Sequence, residues 1–132
     1  MRLPDHIRAF LDAPYLAVLA TVGPRGRPQA TPVWFALDGD EILMNTTAGR
    51  VKLRNLQRRP YASVVVLDPG DPDRYVQIRG PVRLDPAHGA QDIDRLSLRY
   101  EGRPFQYPPT DAPHRRVSIR LRPESYTAVG LE

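Results

Sequence analysis

The stretch ILMNTTAGRVKLRNLQRRPYASVVV, Ile42 to Val66, decides the fold. It reads as a strand, a short helix and a second strand. Glu41–Thr47 is apolar and rich in strand formers. Arg50 to Arg59 has helical spacing, with Val51, Leu53 and Leu56 supplying the apolar contacts, and Pro60 stops it. Tyr61–Asp68, with three consecutive valines, reads as a buried strand. The central part is also crowded with charge. Between Thr46 and Pro60 stand Arg50, Lys52, Arg54, Arg58 and Arg59, with no acidic residue among them. Lys52 is the only lysine in the chain.

Outward from this stretch, strand patterns dominate. Pro4 to Leu11 reads as a short helix, with Ile7, Phe10 and Leu11 on one face. Tyr15–Val22 is a strand that ends at the turn GPRGRP. Pro28–Leu37 alternates loosely as one strand, and the DGD of Asp38–Asp40 turns it into Glu41–Thr47 as a hairpin. Downstream, the turn PGDPD leads into an alternating strand over Arg74–Leu84, where Gly80-Pro81 predicts a bulge or sharp bend. A helix is expected over Pro86–Arg99, then a long loop from Tyr100 to His114. Arg115 to Val129 closes as one or two strands. The sum is a mainly β protein: an antiparallel barrel of about six strands with a few short helices. Small barrels are filled by side chains, so a ligand belongs at the rim or at a subunit interface.

Composition sets bounds on the chemistry. The 132 residues fit a single domain, and 15 prolines argue against long helices. The chain has no cysteine, which excludes disulfides, thiolate metal sites and cysteine nucleophiles. It shows neither a signal-peptide apolar block nor a stretch long enough for a membrane helix, so a cytoplasmic protein is expected. His6, His88 and His114 lack metal-ligand spacing, and Ser63, Ser97, Ser118 and Ser125 lack a nucleophile elbow. GPRG is neither a dinucleotide fingerprint nor a phosphate loop. An enzyme built this way takes its chemistry from a cofactor.

The net charge is +4, and 18 of the 19 basic residues are arginine. Arginine suits carboxylate and phosphate partners. The strand-to-helix junction is where such a partner fits. Thr46 and Thr47 offer hydroxyls, Ala48 and Gly49 offer amides, and a helix begins next. A helix N-terminus favours anions and disfavours Arg50 and Lys52. A bound anion would reverse that penalty. The alternative is a solvated helix whose long cations reach into water. Trp34 is either a core aromatic or a platform for a planar ring. Tyr75 and Tyr107 read as packing residues, and Gln29 faces either a ligand or water. A nucleic-acid reading is disfavoured, because no recognition motif is present and the aromatics are not interleaved with the cations.

Four blocks carry a resemblance: LATVGPRGRPQATPVWF, ILMNTTAGRVKLRNLQRRPYASVVV, RYVQIRGPVRL and RRVSIRLRPESY. In this order they span nearly the whole chain. Together they resemble the pyridoxamine 5'-phosphate oxidase-like superfamily of split-barrel flavin and deazaflavin proteins, in particular its coenzyme F420-dependent branch. The resemblance implies a homodimer of six-stranded antiparallel split β-barrels of the FMN-binding type, with a cofactor at each end of the interface. It implies F420, whose phosphate and glutamate tail are anionic, with FMN as the alternative cofactor. Thr46, Thr47, Arg50 and Lys52 match phosphate-binding positions. Pro28, Gln29 and Thr31 match positions beside the deazaflavin ring. Trp34 and Tyr75 are candidates for the substrate pocket, which the segment YEGRPFQYPP would shape. Arg54, Asn55 and Arg58 orient the helix or meet the tail. The implied activity is hydride transfer to a small electron-poor acceptor, with a non-catalytic carrier of the same cofactor as the other possibility. No side chain is identified as catalytic.

Overall fold

The computed structural model describes residues 1–131. In chain order the elements are α1 (Asp5–Leu11), β1 (Ala17–Val22), β2 (Pro28–Val33), β3 (Ala36–Asp38), β4 (Glu41–Thr47), α2 (Val51–Arg58), β5 (Tyr61–Asp68), β6 (Asp71–Asp85), α3 (Gly89–Glu101), β7 (Arg116–Leu121) and β8 (Ser125–Val129). All strand pairs are antiparallel, in the order β2-β1-β5-β6-β7-β4-β3, with β8 added beside β6.

The fold is mainly β, as expected, but the described residues form eight strands rather than six, and among them the sheet is not closed by a last hydrogen-bonded pair. Two differences account for the count. The chain end forms two strands, and Pro28–Leu37 breaks into β2 and β3. The break has a tertiary cause. The Phe35 N–H donates to the Tyr100 hydroxyl at 3.2 Å, and the Phe35 carbonyl accepts from Arg99 Nε at 2.9 Å. Side chains of α3 thus take backbone groups that a continuous strand would have used in its ladder.

Alternation builds the core. Ala17 and Leu19 of β1, Ala62, Val64 and Val66 of β5, and Val76 and Ile78 of β6 turn inward. Phe35, Met44, Ile119 and Leu121 meet them, and α1 adds Leu11, Ile7 and Phe10. β4 is buried on both faces. Ile42 and Met44 enter the core, while Asn45 on the other face donates to the Gly89 carbonyl of α3.

β6 joins the two halves of the sheet. One edge pairs with β5 over Asp71–Pro81. The other pairs with β8 over Tyr75–Arg79 and with β7 over Val82–Asp85. The changeover falls at Gly80-Pro81. No register slip occurs there, so of the expected bulge or sharp bend the bulge is not found; the slip lies at Leu67/Asp68. Glycine is required by close approach, since a Cβ at Gly80 would lie 1.9 Å from the Arg122 carbonyl oxygen.

Two helices also differ from expectation in their bounds. α2 starts at Val51, so Arg50 is its cap residue, and Val51 is 44% exposed rather than packed. Pro86–His88 is a separate 3-10 turn, and α3 runs on to Glu101, which places Tyr100 in the helix instead of the loop. No helix among the described residues is long and apolar enough to cross a membrane.

Candidate functional site

β2 and β4 lie on opposite arms of the sheet and do not pair with each other. Between them opens a cavity of about 700 Å³, completed by the start of α2, the inner face of α3 and Phe105. Gln29, Thr31 and Val33 alternate along β2, so they share one face, and all three line the cavity. The Thr31 hydroxyl is buried there without a hydrogen-bond partner, an uncommon state for a native side chain.

One end of the cavity is aromatic. Trp34 lines it and stacks on Tyr100, with ring centroids 5.4 Å apart and planes 8° from parallel. Phe105 meets Trp34 edge-on at 6.4 Å, and Tyr107 meets Phe105 at 4.9 Å. Tyr100 is held in turn by its hydroxyl, which donates to the Tyr15 carbonyl at 2.5 Å. Burial pushes the Tyr100 phenol above its ordinary pKa. Trp34 is therefore a pre-set flat wall.

The other end is cationic. Gly49, at φ +94°, turns the chain from β4 into α2. The first amides of α2 have no intrahelical acceptor, no side chain caps them, and no acid occupies the first turn. Arg50 and Lys52 stand here, and neither forms an ion pair among the described residues. Burial lowers the Lys52 pKa, and the nearby charges of Arg50 and Arg116 lower it further. A site that depresses a lysine through neighbouring cations is short of negative charge.

Arg116, at the start of β7, lies between the two ends. Its Nε donates to Asn45 Oδ1 at 2.9 Å and its Nη1 to Asp111 Oδ2 at 2.9 Å, while its guanidinium lies 5.0 Å from the centre of the Phe105 ring. Asp111 also accepts from the Thr47 hydroxyl at 2.6 Å. Burial pushes the Asp111 carboxyl up, but the bonds from Thr47, Ala112 and Arg116 outweigh it and hold the group below the usual carboxylate range. Behind Asn45 the polar contacts continue. Ser118 donates to Asp92 at 2.6 Å, and Arg120 bonds Asp92, Asp38 and Asp85 at 2.9, 2.6 and 3.2 Å. This buried, paired network fixes the wall from which Arg116 projects.

Seven residues singled out in the sequence meet at this cavity: Gln29, Thr31, Trp34, Thr46, Thr47, Arg50 and Lys52. Two do not. Pro28 is exposed at the start of β2, opposite Val22. Tyr75 lies on β6 between Leu67 and Val129, and does not line the cavity. Within α2, Asn55 donates to the Thr21 hydroxyl at 3.0 Å and anchors the helix to β1, while Arg54 donates to the Gly49 carbonyl at 2.8 Å. Phe105 comes from the segment YEGRPFQYPP expected to shape the pocket, whereas Asn45, Asp111 and Arg116 were not singled out. Arg116, Ser118 and Arg120 alternate on one face of β7 and are buried. Their burial comes from α3, and the one available signal was the acids Asp85 and Asp92 in the preceding segment.

Known proteins bear on this arrangement. Residues 3–130 match the family model described as pyridoxamine 5'-phosphate oxidase. A solved structure titled "F420 Reductase" is 35% identical, covering 95% of this chain and 98% of its own, with a TM-score of 0.82. A conserved hypothetical protein from Mycobacterium tuberculosis is 26% identical, covering 98% and 85%, with a TM-score of 0.75. General Stress Protein 26 from Bacillus anthracis shares the fold alone, at 17% identity over 97% and 94%, with a TM-score of 0.73. With residues 3–130 matched and 35% identity over 95% of the chain, the protein belongs to the pyridoxamine 5'-phosphate oxidase-like superfamily.

Proposed function

We propose that this protein is a coenzyme F420-dependent oxidoreductase, acting as a reductase on a small electron-poor organic acceptor. The observation that carries the reading is the cationic end of the cavity, where Arg50 and Lys52 stand without a carboxylate partner among the described residues, beside the uncapped start of α2. A phosphate there would satisfy the helix amides, the Thr46 hydroxyl and both cations. The buried, unpartnered Thr31 hydroxyl fits a polar edge of a ring system, as does Gln29 on the same face. The 35% identical neighbour titled F420 Reductase supports the deazaflavin over FMN.

F420, when bound in its reduced form, supplies the hydride. The chain's own part is binding, orientation and exclusion of water. Arg50, Lys52 and Thr46 would hold the phosphate end, with Thr47 behind them donating its hydroxyl hydrogen bond to Asp111, and Gln29 and Thr31 the ring end. Trp34, backed by Tyr100, would border the acceptor. Among the described residues no Asp, Glu or His lines the cavity, so no side chain is assigned as acid or base. The exposed apolar residues Leu16 and Val51 line the cavity as well, which supports a second copy of the chain covering it in a homodimer.

The test is a side-by-side titration with F420 and FMN, repeated on Arg50→Ala and Lys52→Ala. Saturable F420 binding at micromolar concentration, weakened about tenfold or more in each variant, is expected. A yellow protein that binds FMN and ignores F420 would transfer the assignment to the flavin. Binding without turnover across a broad acceptor panel would make the protein a carrier.

A further inference from the structure

A buried carboxylate is out of place beside a cavity that attracts anions. The Asp111 side chain is only 5% exposed, and two of its three hydrogen-bond donors, Thr47 and Arg116, line the cavity. The third is the Ala112 amide at 2.8 Å. Three cations line this cavity, and they are not equivalent. Arg116, 10% exposed, has its counter-charge at 2.9 Å. Arg50 and Lys52 have none among the described residues. An anion approaching Arg116 meets a fixed negative charge in a region poor in water, where repulsion is strong. Arg116 is also committed through Nε to Asn45 and through its flat face to Phe105.

The geometry points to Asp111 as a specificity-determining residue: by occupying Arg116, it confines a bound anion to Arg50 and Lys52 and leaves the Arg116–Phe105 side for an uncharged, planar part of the ligand. The inference rests on the reading of the cavity as an anion site. The same contacts tie the segment between α3 and β7 to the end of β4, so Phe105 is kept under Arg116 and against Trp34. A purely structural fastening would make every loss of Asp111 a loss of binding. Charge confinement predicts the opposite sign for a small anion.

Inorganic phosphate is the probe, titrated calorimetrically into the full chain at constant pH and ionic strength. Lys52→Ala is expected to weaken phosphate about tenfold or more, whereas Arg116→Gln changes it less than about threefold. Asp111→Asn keeps the shape, removes the charge, and is expected to bind phosphate about threefold or more tighter, because Arg116 is released. That gain is expected to vanish in Asp111→Asn/Arg116→Gln. The inference is overturned if Arg116→Gln loses as much as Lys52→Ala, if Asp111→Asn weakens phosphate, if the gain survives without Arg116, or if neither the parent nor Asp111→Asn binds phosphate. Should circular dichroism show Asp111→Asn unfolded, the contrast between Arg116→Gln and Lys52→Ala still decides. F420 titrated in parallel separates the two readings. A parent that binds phosphate but not F420 removes the cofactor assignment and leaves the role of Asp111 intact.

Discussion

Lys52 ties binding to pH at the scale of one residue. Its folded-state pKa is lowered from 10.5, by burial first and by Arg50 and Arg116 after that. Protonated Lys52 therefore costs the folded protein stability, and the cost disappears as pH rises through the lowered value. A bound anion favours the protonated form. Phosphate affinity is accordingly expected to fall through the alkaline range before 10.5 is reached, and Lys52→Arg should move that fall to higher pH. Calorimetric titrations across an alkaline pH series check this, and a flat profile would contradict it. Gly89 acts by having no side chain. A Cβ there would lie 2.0 Å from the Arg116 carbonyl oxygen and 2.3 Å from its carbon, so α3 could not rest on β7. Gly89→Ala is expected to cost about 1–3 kcal/mol, read from the urea midpoint, and to weaken phosphate by displacing Asn45 from the Gly89 carbonyl.

α2 shows best, at the scale of one element, what a sequence makes legible. Leu53 and Leu56 are spaced to meet the core and they do; Leu56 is fully buried, and Leu56→Ala should cost about 2–5 kcal/mol in denaturant unfolding. The five cations and the missing acid could also be read directly, as could Pro60. Val51 could not, because its apolar side chain borders a cavity made by residues far away in sequence. The same limit explains the other differences. Nothing in Trp34-Phe35 forbids a continuous strand; Arg99 and Tyr100, about 65 residues on, end it by capturing the Phe35 backbone. Nothing in R-x-S-x-R forbids a solvated face; α3 covers it with Asp92. Local pattern set the identity and direction of the elements. Long-range side-chain contacts set where they break and which polar faces are buried.

Three carboxylates govern acid stability at the scale of the whole molecule. The Arg120 hydrogen bond lowers Asp38 despite burial. Burial raises Asp85 and Asp111, but His88 and Arg120 outweigh it for the first, and Thr47, Ala112 and Arg116 for the second. All three lie below 3.8 in the folded protein. Their stabilisation is thus present above the unfolded pKa and is lost as pH falls through the folded values. Stability against urea should hold down to about pH 4 and then drop. Asp111→Asn should make that drop shallower, as read from unfolding midpoints across an acid pH series. β6 has a consequence of another kind, in the time order of synthesis. Its partner β5 precedes it in the chain, so that hairpin can assemble as soon as both segments leave the ribosome. Its opposite edge waits for β7 and β8, which follow it by about 30 residues and more. Until then a 15-residue strand presents an open hydrogen-bonding edge. The nascent chain is most prone to aggregate in that interval, and removal of residues 116–131 would make the interval permanent.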